Sequence, residues 1–416
     1  MPPAITSGTV AVAMLGARMH YAVPQILNDL GLLERLFTDI YFGNKPTLAA
    51  LVSRLPRRLQ GADLRRLSDR NKQSIPAERV TSFDMFGLSY AMARRRVRNN
   101  DELAHVFGRY GAMFNRKVVR HGFGRASALW GFNTASIEMF RAARDQGLSR
   151  ILEQTILPSE LEHRLMQEQI DAWRGWQPGL DIGAAVLKSR EQAEWELADR
   201  IVVGSAFVAE GLAACGVSGD KIAVIPYGVD PERFSPAGDR DSRGRPLRIL
   251  FVGEIGLRKG VPYLLEALRR IGPGVVEARL AGHVALDPAR LGPYADVADV
   301  LGSVPRAAMP DLLRWADVLV LPSIVEGSAT VTYEALMSGL AVITTPNAGS
   351  IVEDGMNGRI VGVRDSVALA EAILEYCDDR DLLNRHRAAA RTAKQKASIS
   401  RYSDDLARFM EGSRGP

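Results

Sequence analysis

Two glutamates, Glu326 and Glu334, stand eight positions apart in a run of small and apolar residues from Ser323 to Pro346. A buried carboxylate without a partner is costly or shifts its pKa, so a core segment does not select such residues. Carboxylates accept charge-strengthened hydrogen bonds from hydroxyl groups, which favours sugar binding as the chemistry of this pair. The alternative is structural, with Glu326 at a helix dipole and Glu334 on an exposed helix face.

The elements around these glutamates set their positions. An apolar strand over Asp317–Leu321 precedes Glu326, and a helix is predicted to start near Ala329 and Thr330 and to end at Gly339. Glu326 then lies in the loop at the carboxyl end of the strand, and Glu334 lies about one turn inside the helix. The amides at the helix N-terminus predict an anion site suited to phosphate. These amides belong to Gly327, Ser328, Ala329 and Thr330.

A second group of chemically capable residues precedes them in the chain. A strand over Leu247–Val252 ends at Gly253, and Arg258 and Lys259 open the next helix. A glycine allows another group to approach the backbone closely. Two cations at the carboxyl edge of a parallel sheet lie where open α/β sheets bind ligands, and a diphosphate is their natural partner. The sequence contains neither a P-loop motif nor a dinucleotide fingerprint.

The pattern along the chain predicts an α/β protein with two doubly wound, parallel-sheet domains. The first domain spans residues 1–235 and the second spans 236–396, with a polar linker over Gly238–Arg245. An amphipathic helix from Ser398 to Glu411 follows. Predicted strands of the first domain include Thr9–Leu15, Leu36–Phe42, Ala128–Phe132, Arg150–Gln154 and Arg200–Val203.

Composition limits the class of protein. The 416 residues contain no apolar run long enough for a membrane span, no secretory leader pattern is seen at the N-terminus, and the two cysteines form no CxxC pair. These features predict a cytoplasmic location and no zinc site. The net charge is +5, and no aromatic interleaving or known motif accompanies the arginines, which disfavours nucleic acid as a partner.

The basic residues bunch within residues 54–98, and two interpretations stay open. The stretch is either a solvated helical face or a surface that contacts anionic lipid, which would place the protein peripherally on the inner face of the cell membrane. The residues concerned are Arg54, Arg57, Arg58, Arg65, Arg66, Arg70, Lys72, Arg94, Arg95, Arg96 and Arg98.

The spaced motifs together resemble the family 4 retaining glycosyltransferases of the GT-B fold, also described as glycosyl transferases group 1. The likeness is specific over about residues 190–365 and looser over the first 150. The residues that carry it are the E-x7-E pair of Glu326 and Glu334 with its flanks Ala316–Ser323 and Glu334–Gly339, then Ala198–Ser205, Tyr227–Asp230 with Phe234, Phe251–Gly253 with Lys259 and Gly260, and Glu353–Gly358.

The resemblance implies two Rossmann-like domains facing a central cleft, with the C-terminal helix of residues 397–416 packing back on the first domain. It further implies that Lys259 and Arg258 neutralise the diphosphate of a donor and that Glu326 contacts the transferred sugar. Glu334 would hold the nucleotide ribose, and residues 327–330 the sugar and phosphate. In the first domain, Gly16 and Arg18 would contact substrate, and His20 is a further catalytic candidate; Gly253 completes the donor side.

Three departures from the family pattern affect these assignments. Glu254 stands where the family often has arginine, Glu326 is followed by Gly-Ser-Ala, and the glycine-pair loop of the first domain is reduced to Gly16-Ala17-Arg18. The first departure leaves Arg258 to compensate for the missing cation, and the second alters the wall of the sugar site.

The function predicted is a retaining glycosyltransferase that moves a hexose from a nucleoside diphosphate sugar to a hydroxyl of a glycan or lipid-linked acceptor. It needs no metal or other cofactor if the cations and the helix N-terminus offset the charge of the leaving group. No second carboxylate serves as a nucleophile, which favours front-face substitution. The alternatives are a nucleotide-sugar epimerase of the same fold and a non-catalytic transferase-like scaffold.

Overall fold

The computed structural model describes residues 8–41, 43, 75–178, 185–234, 236 and 243–412. The basic residues from Arg54 to Lys72 and most of the linker predicted over Gly238–Arg245 therefore lie outside the described residues. Elements are numbered below within the described part of the chain. In that part, no helix has both the length and the apolar character needed to cross a bilayer.

Among the described residues, the first domain contains a parallel sheet of seven strands in the order β3-β2-β1-β4-β5-β6-β7. Alternate residues of β1 enter two different core clusters, with Val10 and Val12 on one face and Ala11 and Ala13 on the other. Both faces of the sheet are therefore covered, as parallel sheets require. The strands are β1 Thr9–Met14, β2 Leu33–Thr38, β3 Val80–Ser82, β4 Ala126–Phe132, β5 Ser149–Gln154, β6 Arg200–Val203 and β7 Ile222–Val224.

Seven helices lie in the described part of the first half of the chain. The longest is capped by Asn99, whose side chain accepts a hydrogen bond from the Glu102 amide at 2.8 Å. The helices are α1 Ala22–Asp29, α2 Asp84–Arg95, α3 Asn100–His121, α4 Ile137–Asp145, α5 Ser159–Ala172, α6 Ala185–Leu197 and α7 Ala206–Ala214.

The second domain contains a parallel sheet of six strands in the order β10-β9-β8-β11-β12-β13. The strands are β8 Leu247–Val252, β9 Val276–Ala281, β10 Asp299–Gly302, β11 Val318–Leu321, β12 Ala341–Thr344 and β13 Gly358–Ile360. The helices are α8 Val261–Ile271, α9 Pro288–Leu291, α10 Met309–Trp315, α11 Thr330–Met337, α12 Ser366–Asp378, α13 Arg380–Thr392, α14 Lys394–Ala397 and α15 Ile399–Met410.

The predicted fold class of two parallel-sheet α/β domains is confirmed. The bounds of β2 differ from the prediction, since the strand runs over Leu33–Thr38 rather than Leu36–Phe42. The strand therefore also contains the charged residues Glu34 and Arg35. Their charges are met by partners elsewhere in the domain, because Glu34 accepts from the Arg125 amide at 3.1 Å and Arg35 donates to Thr81 at 3.1 Å.

Two helices cross between the halves of the chain. α15 follows the second domain in sequence, yet its Tyr402, Leu406 and Phe409 lie in a core cluster with strands of the first sheet. The Phe409 ring lies 6.0 Å from the Trp130 ring. α5 runs the other way, since Met166 is part of the core built on the second sheet. The two domains are thus connected by packed helices as well as by the chain between them.

Candidate active site in the interdomain cleft

The carboxyl edge of the second sheet brings Lys259, Arg258 and Glu326 together. A short 3-10 turn over Leu257–Lys259 follows β8, and Gly260 then adopts a left-handed conformation (φ 67°) before α8 begins. The Lys259 ammonium forms an ion pair with the Glu326 carboxylate, and Arg258 Nη1 lies 3.5 Å from Glu326 Oε1. Residues distant in sequence therefore form one compact group of two cations and one anion.

Backbone contacts hold this group in place. The Arg258 carbonyl accepts hydrogen bonds from the amides of Ile324 at 2.9 Å and Val325 at 3.3 Å. Arg258 Nη1 in turn donates to the Val325 carbonyl at 3.3 Å. The loop that carries Glu326 is thus fastened to the turn that carries Lys259, so neither side chain depends on its own loop alone.

Lys259 lies in a dry environment. Its side chain is buried, and burial together with the neighbouring Arg258 guanidinium lowers the pKa of Lys259 to about 7, while Glu254 acts in the opposite direction. Glu254 stands at the position where an arginine was expected, and here it supports the charged form of Lys259. A Cβ at Gly253 would lie 3.3 Å from Lys259 Cε, so the glycine leaves room for the lysine stem.

The segment that follows Glu326 is held inside the protein. The Ser328 hydroxyl lies 2.7 Å from the Tyr333 hydroxyl and donates to the Gly349 carbonyl at 3.0 Å. The Ala329 amide donates to the Ala348 carbonyl at 3.0 Å. This amide was expected to face a ligand, and its engagement with Ala348 makes it part of the loop structure instead. The helix itself starts at Thr330, as predicted.

A cleft of about 660 Å³ lies between the domains. Thr330 and Glu334 line it from the second domain, and Met19 and His20 line it from the first. Residues 228–234, which follow β7, and the start of α15 close its far side. Glu326 and Lys259 are not among the residues that line it.

Glu334 is the acidic group of the predicted site that opens onto this cleft. Burial raises the pKa of Glu334, and the positive charges of Arg306 and Arg233 oppose that shift. Both arginines line the same cleft. Arg306 Nη1 also lies 3.4 Å from His20 Nδ1, so the second domain reaches the loop of the first domain at this point.

The loop that carries His20 has an unusual backbone. Met19, His20 and Tyr21 have positive φ angles of 46°, 51° and 63°, a region that residues with side chains seldom occupy. Successive left-handed residues store strain, and such strain concentrates at functional sites. His20 thus lies beside the cleft, although 286 residues of sequence separate it from the arginine that it faces.

Gly16 and Arg18 precede this loop and lie elsewhere. The Gly16 amide donates to Asp39 Oδ1 at 3.2 Å, and Gly16 has a φ of 86°. Arg18 Nη1 donates to Thr155 Oγ1 at 2.7 Å, and burial lowers the pKa of Arg18. Arg18 therefore points toward the end of β5. Its guanidinium could contact a substrate phosphate only from that position.

The ends of β5 and β6 meet the Glu326 loop across the domain boundary. The Ser205 hydroxyl donates to the Gly327 carbonyl. A Cβ at Gly327 would lie only 1.8 Å from the Thr155 carbonyl oxygen. Glu326 directly precedes this contact and is 8% exposed, whereas Glu334 lines the open cleft.

Sequence reasoning assigned no role to a buried carboxylate at the end of β5. Glu153 accepts hydrogen bonds from Trp130 Nε1 at 3.1 Å and from the Tyr227 hydroxyl at 3.2 Å. Burial raises the pKa of Glu153 to about 7. Tyr227 belongs to the segment that leads to the second domain, so Glu153 joins the first sheet to that segment. Its place at the end of a predicted strand was the only signal in the sequence.

The chain contains two Asp-x-Asp sequences, one at Asp239 and Asp241 and one at Asp379 and Asp381. Asp379 caps α13 by accepting from the Leu382 amide at 2.8 Å, and Asp381 pairs with Arg243 at 2.5 Å. The pair at Asp239 and Asp241 lies outside the described residues. Among the described residues, no three His, Cys, Asp or Glu side chains are grouped as metal ligands would be.

Comparison with known families matches the second domain. Residues 246–379 match the family described as glycosyl transferases group 1. Over these residues, which make up less than half of the chain, the protein is similar to the group 1 glycosyltransferases. The matched group 1 region contains Arg258, Lys259, Glu326 and Glu334, and the family resemblance stated from the motifs is confirmed.

Two curated relatives match this chain over part of its length. It is 33% identical over 235 residues to D-inositol 3-phosphate glycosyltransferase of Geodermatophilus obscurus. The matched region covers 50% of this chain and 51% of the relative. It is 30% identical over 183 residues to the amylovoran biosynthesis glycosyltransferase AmsK of Erwinia amylovora, which is 39% of this chain and 44% of the relative. The chain spans about half the length of the curated relatives it matches.

A solved structure extends the likeness to the whole fold. The crystal structure of HepE from Anabaena in complex with UDP and glucose matches with a TM-score of 0.62 and 14% sequence identity. The match covers 97% of this chain and 99% of HepE. The chain therefore has the GT-B fold, with both parallel-sheet domains.

Proposed function

We propose that this protein is a retaining glycosyltransferase that moves a hexose from a nucleoside diphosphate sugar to a hydroxyl group. The observation that carries the proposal is the group of Lys259, Arg258 and Glu326 at the carboxyl edge of the second sheet. Two cations suit a diphosphate, and the carboxylate beside them suits the hydroxyls of the attached sugar. The match of residues 246–379 to the group 1 glycosyltransferases supports the same reaction class.

The nucleoside is assigned to the cleft beside Glu334. Its carboxylate opens onto a volume of about 660 Å³, large enough for a nucleoside, and can accept two hydrogen bonds from a ribose diol. The HepE structure contains UDP and glucose, which supports a nucleoside diphosphate sugar as the class of donor here. The choice of base and sugar depends on the loop residues around this cleft.

The catalytic roles follow from charge. Lys259 and Arg258 stabilise the negative charge that develops on the leaving diphosphate, a role that requires no metal or other cofactor. In the donor-free state Lys259 pairs with Glu326. A bound diphosphate competes for the ammonium and releases the carboxylate toward the sugar. The leaving phosphate then helps to deprotonate the acceptor hydroxyl on the same face, which retains the configuration.

The acceptor is assigned to the first domain as a glycan or a lipid-linked sugar. AmsK is named for the biosynthesis of amylovoran, and that name supports a role in making a polysaccharide or glycoconjugate. A cytoplasmic location with peripheral contact to the inner face of the membrane fits such an acceptor. His20 lines the cleft from the first domain, as Glu334 does from the second.

Donor binding and transfer test the proposal in two steps. A panel of nucleotide sugars and nucleoside diphosphates is screened by thermal shift, and the best donor is then used in a transfer assay with analysis of product configuration. We expect Glu326→Gln and Lys259→Ala each to lower the transfer rate by at least about a hundredfold, the range measured for lost electrostatic stabilisation. Glu277→Gln is the matched control, because Glu277 forms an exposed ion pair with Arg248 at 3.2 Å in the same domain.

Each outcome separates the proposal from its alternatives. Transfer with inverted configuration overturns the retaining mechanism. Conversion of the donor to another nucleotide sugar without an acceptor identifies an epimerase. A protein that no nucleotide stabilises, or whose transfer rate is unchanged in both site variants, does not use this site as proposed.

A further inference from the structure

Helix α2 (Asp84–Arg95) exposes three large apolar side chains on one face. Met85 is 80% exposed, Leu88 is 47% exposed and Met92 is 53% exposed. Their spacing of three and four residues places them in one stripe along the helix. Single exposed apolar residues are common on proteins, but three in a row on one helix mark an interaction surface.

The opposite face of α2 anchors the helix to the first domain. Phe86 is buried, and its ring lies 5.7 Å from the Tyr110 ring and 6.0 Å from the Phe114 ring, both on α3. Gly87 packs against Ile40, which leaves no space for a side chain. The helix is therefore held by its buried face, and folding of the domain does not depend on the exposed stripe.

Positive charge accompanies the stripe. Arg94, Arg96 and Arg98 are exposed at the C-terminal end of α2, whereas Asp84 at the opposite end is the acidic residue of the helix. A surface that combines apolar side chains with arginine is suited to the interface of an anionic bilayer, because the apolar groups enter the acyl boundary and the guanidinium groups reach lipid phosphates.

We propose that this face of α2 docks on an anionic lipid surface, with Met85, Leu88 and Met92 inserted and with Arg96 and Arg98 contacting headgroup phosphates. A protein partner is disfavoured, since three side chains offer far less than the roughly 800 Å² that each partner contributes to a stable interface. The charges favour an anionic surface over a neutral one.

The position of α2 in the fold suggests a function for the lipid contact, and this function rests on the proposed glycosyltransferase activity. α2 begins after Phe83, whose amide donates to the Thr38 carbonyl at the end of β2 at 3.0 Å. The helix thus starts at the carboxyl edge of the first sheet, the edge that faces the cleft. Docking of α2 brings that edge to the membrane, where a lipid-linked acceptor could enter.

The test is co-sedimentation of the full chain with phosphatidylcholine vesicles, with and without phosphatidylglycerol, at low and high salt. We expect binding to the anionic vesicles at low salt and weaker binding at high salt. Replacing Met85, Leu88 and Met92 together by serine should abolish it. Arg96→Gln with Arg98→Gln should weaken it roughly thirtyfold, from the attraction typical of each arginine near an anionic surface. Met356→Ser, at a methionine that is 55% exposed in the second domain, is the control.

Several results would overturn the proposal. Vesicle binding that survives in the triple serine variant places the contact elsewhere in the chain. If the parent forms a concentration-dependent dimer in sedimentation velocity and the triple variant does not, a second copy of the chain occupies this face. If the parent protein does not bind vesicles and the triple variant is less thermally stable, another segment of the chain covers this face of α2. Donor binding is measured in the same variants, so failure of the proposed function and failure of lipid docking are told apart.

Discussion

Lys259 combines two properties that oppose each other. The diphosphate proposed as its ligand requires a charged ammonium, yet burial and Arg258 lower its pKa to about 7. The Glu326 carboxylate, in contact with the ammonium, supplies the negative charge while the donor is absent. The site therefore holds its cation ready in a dry environment, where a charge interacts more strongly than in water.

The lowered pKa of Lys259 predicts a pH dependence of donor binding. Below about pH 7 the free protein already carries the charged lysine, so affinity for a nucleotide sugar should be nearly constant there. Above about pH 7 binding must recover a proton, and affinity should fall by up to about tenfold per pH unit. Titration calorimetry from about pH 6 to about pH 9 measures the slope. Lys259→Arg keeps its charge throughout and should give a flat profile; an equal slope in that variant would place the titrating group elsewhere.

Glu153 predicts a pH dependence of stability instead. Its pKa rises from 4.5 to about 7 in the folded protein, so between these values the folded state binds more protons than the unfolded state. Stability from this group is therefore present at low pH and is lost as the pH rises toward 7. Glu153→Gln should remove that loss. From about pH 5 to about pH 8, the free energy of unfolding of the variant should rise relative to the parent by about 3 kcal/mol at most.

Thermal unfolding at both pH values measures the effect of Glu153→Gln. Glu102→Gln, at an exposed position on α3, is the control for removing a charge. If the gain is equal at both pH values, the carboxylate does not titrate in this range, and its hydrogen bonds to Trp130 and Tyr227 explain its burial instead.

At the scale of elements, the turn before α8 decides where Lys259 points. Gly260 has a φ of 67°, and a Cβ there would lie 2.0 Å from the Pro322 carbonyl oxygen. The turn therefore needs glycine for two reasons, backbone conformation and close approach to the end of β11. Gly272, after the end of the same helix, has a φ of 88° but faces open space.

These two glycines form a matched pair of variants. Gly272→Ala should cost only the backbone penalty of its φ of 88° and ψ of 163°, about 1–3 kcal/mol. Gly260→Ala should cost clearly more, because it also drives a methyl group into Pro322, and it should weaken donor binding by moving Lys259. Urea unfolding and donor titration of both variants check this. Equal losses of stability would show that the contact with Pro322 relaxes without consequence.

The whole molecule is held in a closed arrangement by small residues. Gly327 of the second domain lies against the Thr155 carbonyl of the first, and Ser205 donates to the Gly327 carbonyl. Closure of the two domains therefore rests on this contact as well as on α5 and α15, which pack between them.

Gly327→Ala should prevent this closure without unfolding either domain. The added methyl group would overlap the Thr155 carbonyl, which belongs to the other domain. We expect a larger radius of gyration in solution scattering and a transfer rate lower by at least about tenfold, since misplacing a site by about 1 Å can cost more than that. Gly219→Ala, at a glycine with open space around it, is the control. Unchanged scattering and rate would show that the contact is not needed for closure.

The sequence by itself determined the alternation of strands and helices, the class of fold and the family, because these depend on local periodicity and on motifs whose spacing is written in the chain. It also located the start of α11 at Thr330, since the strand, loop and terminal glycine around that helix are local signals. Only the tertiary structure decided which polar groups meet. Arg18 turned toward Thr155, Ala329 was tied to Ala348, and Glu153 was buried under Trp130 and Tyr227. Those contacts join segments far apart in sequence, and their energies depend on burial and distance, which no local pattern records.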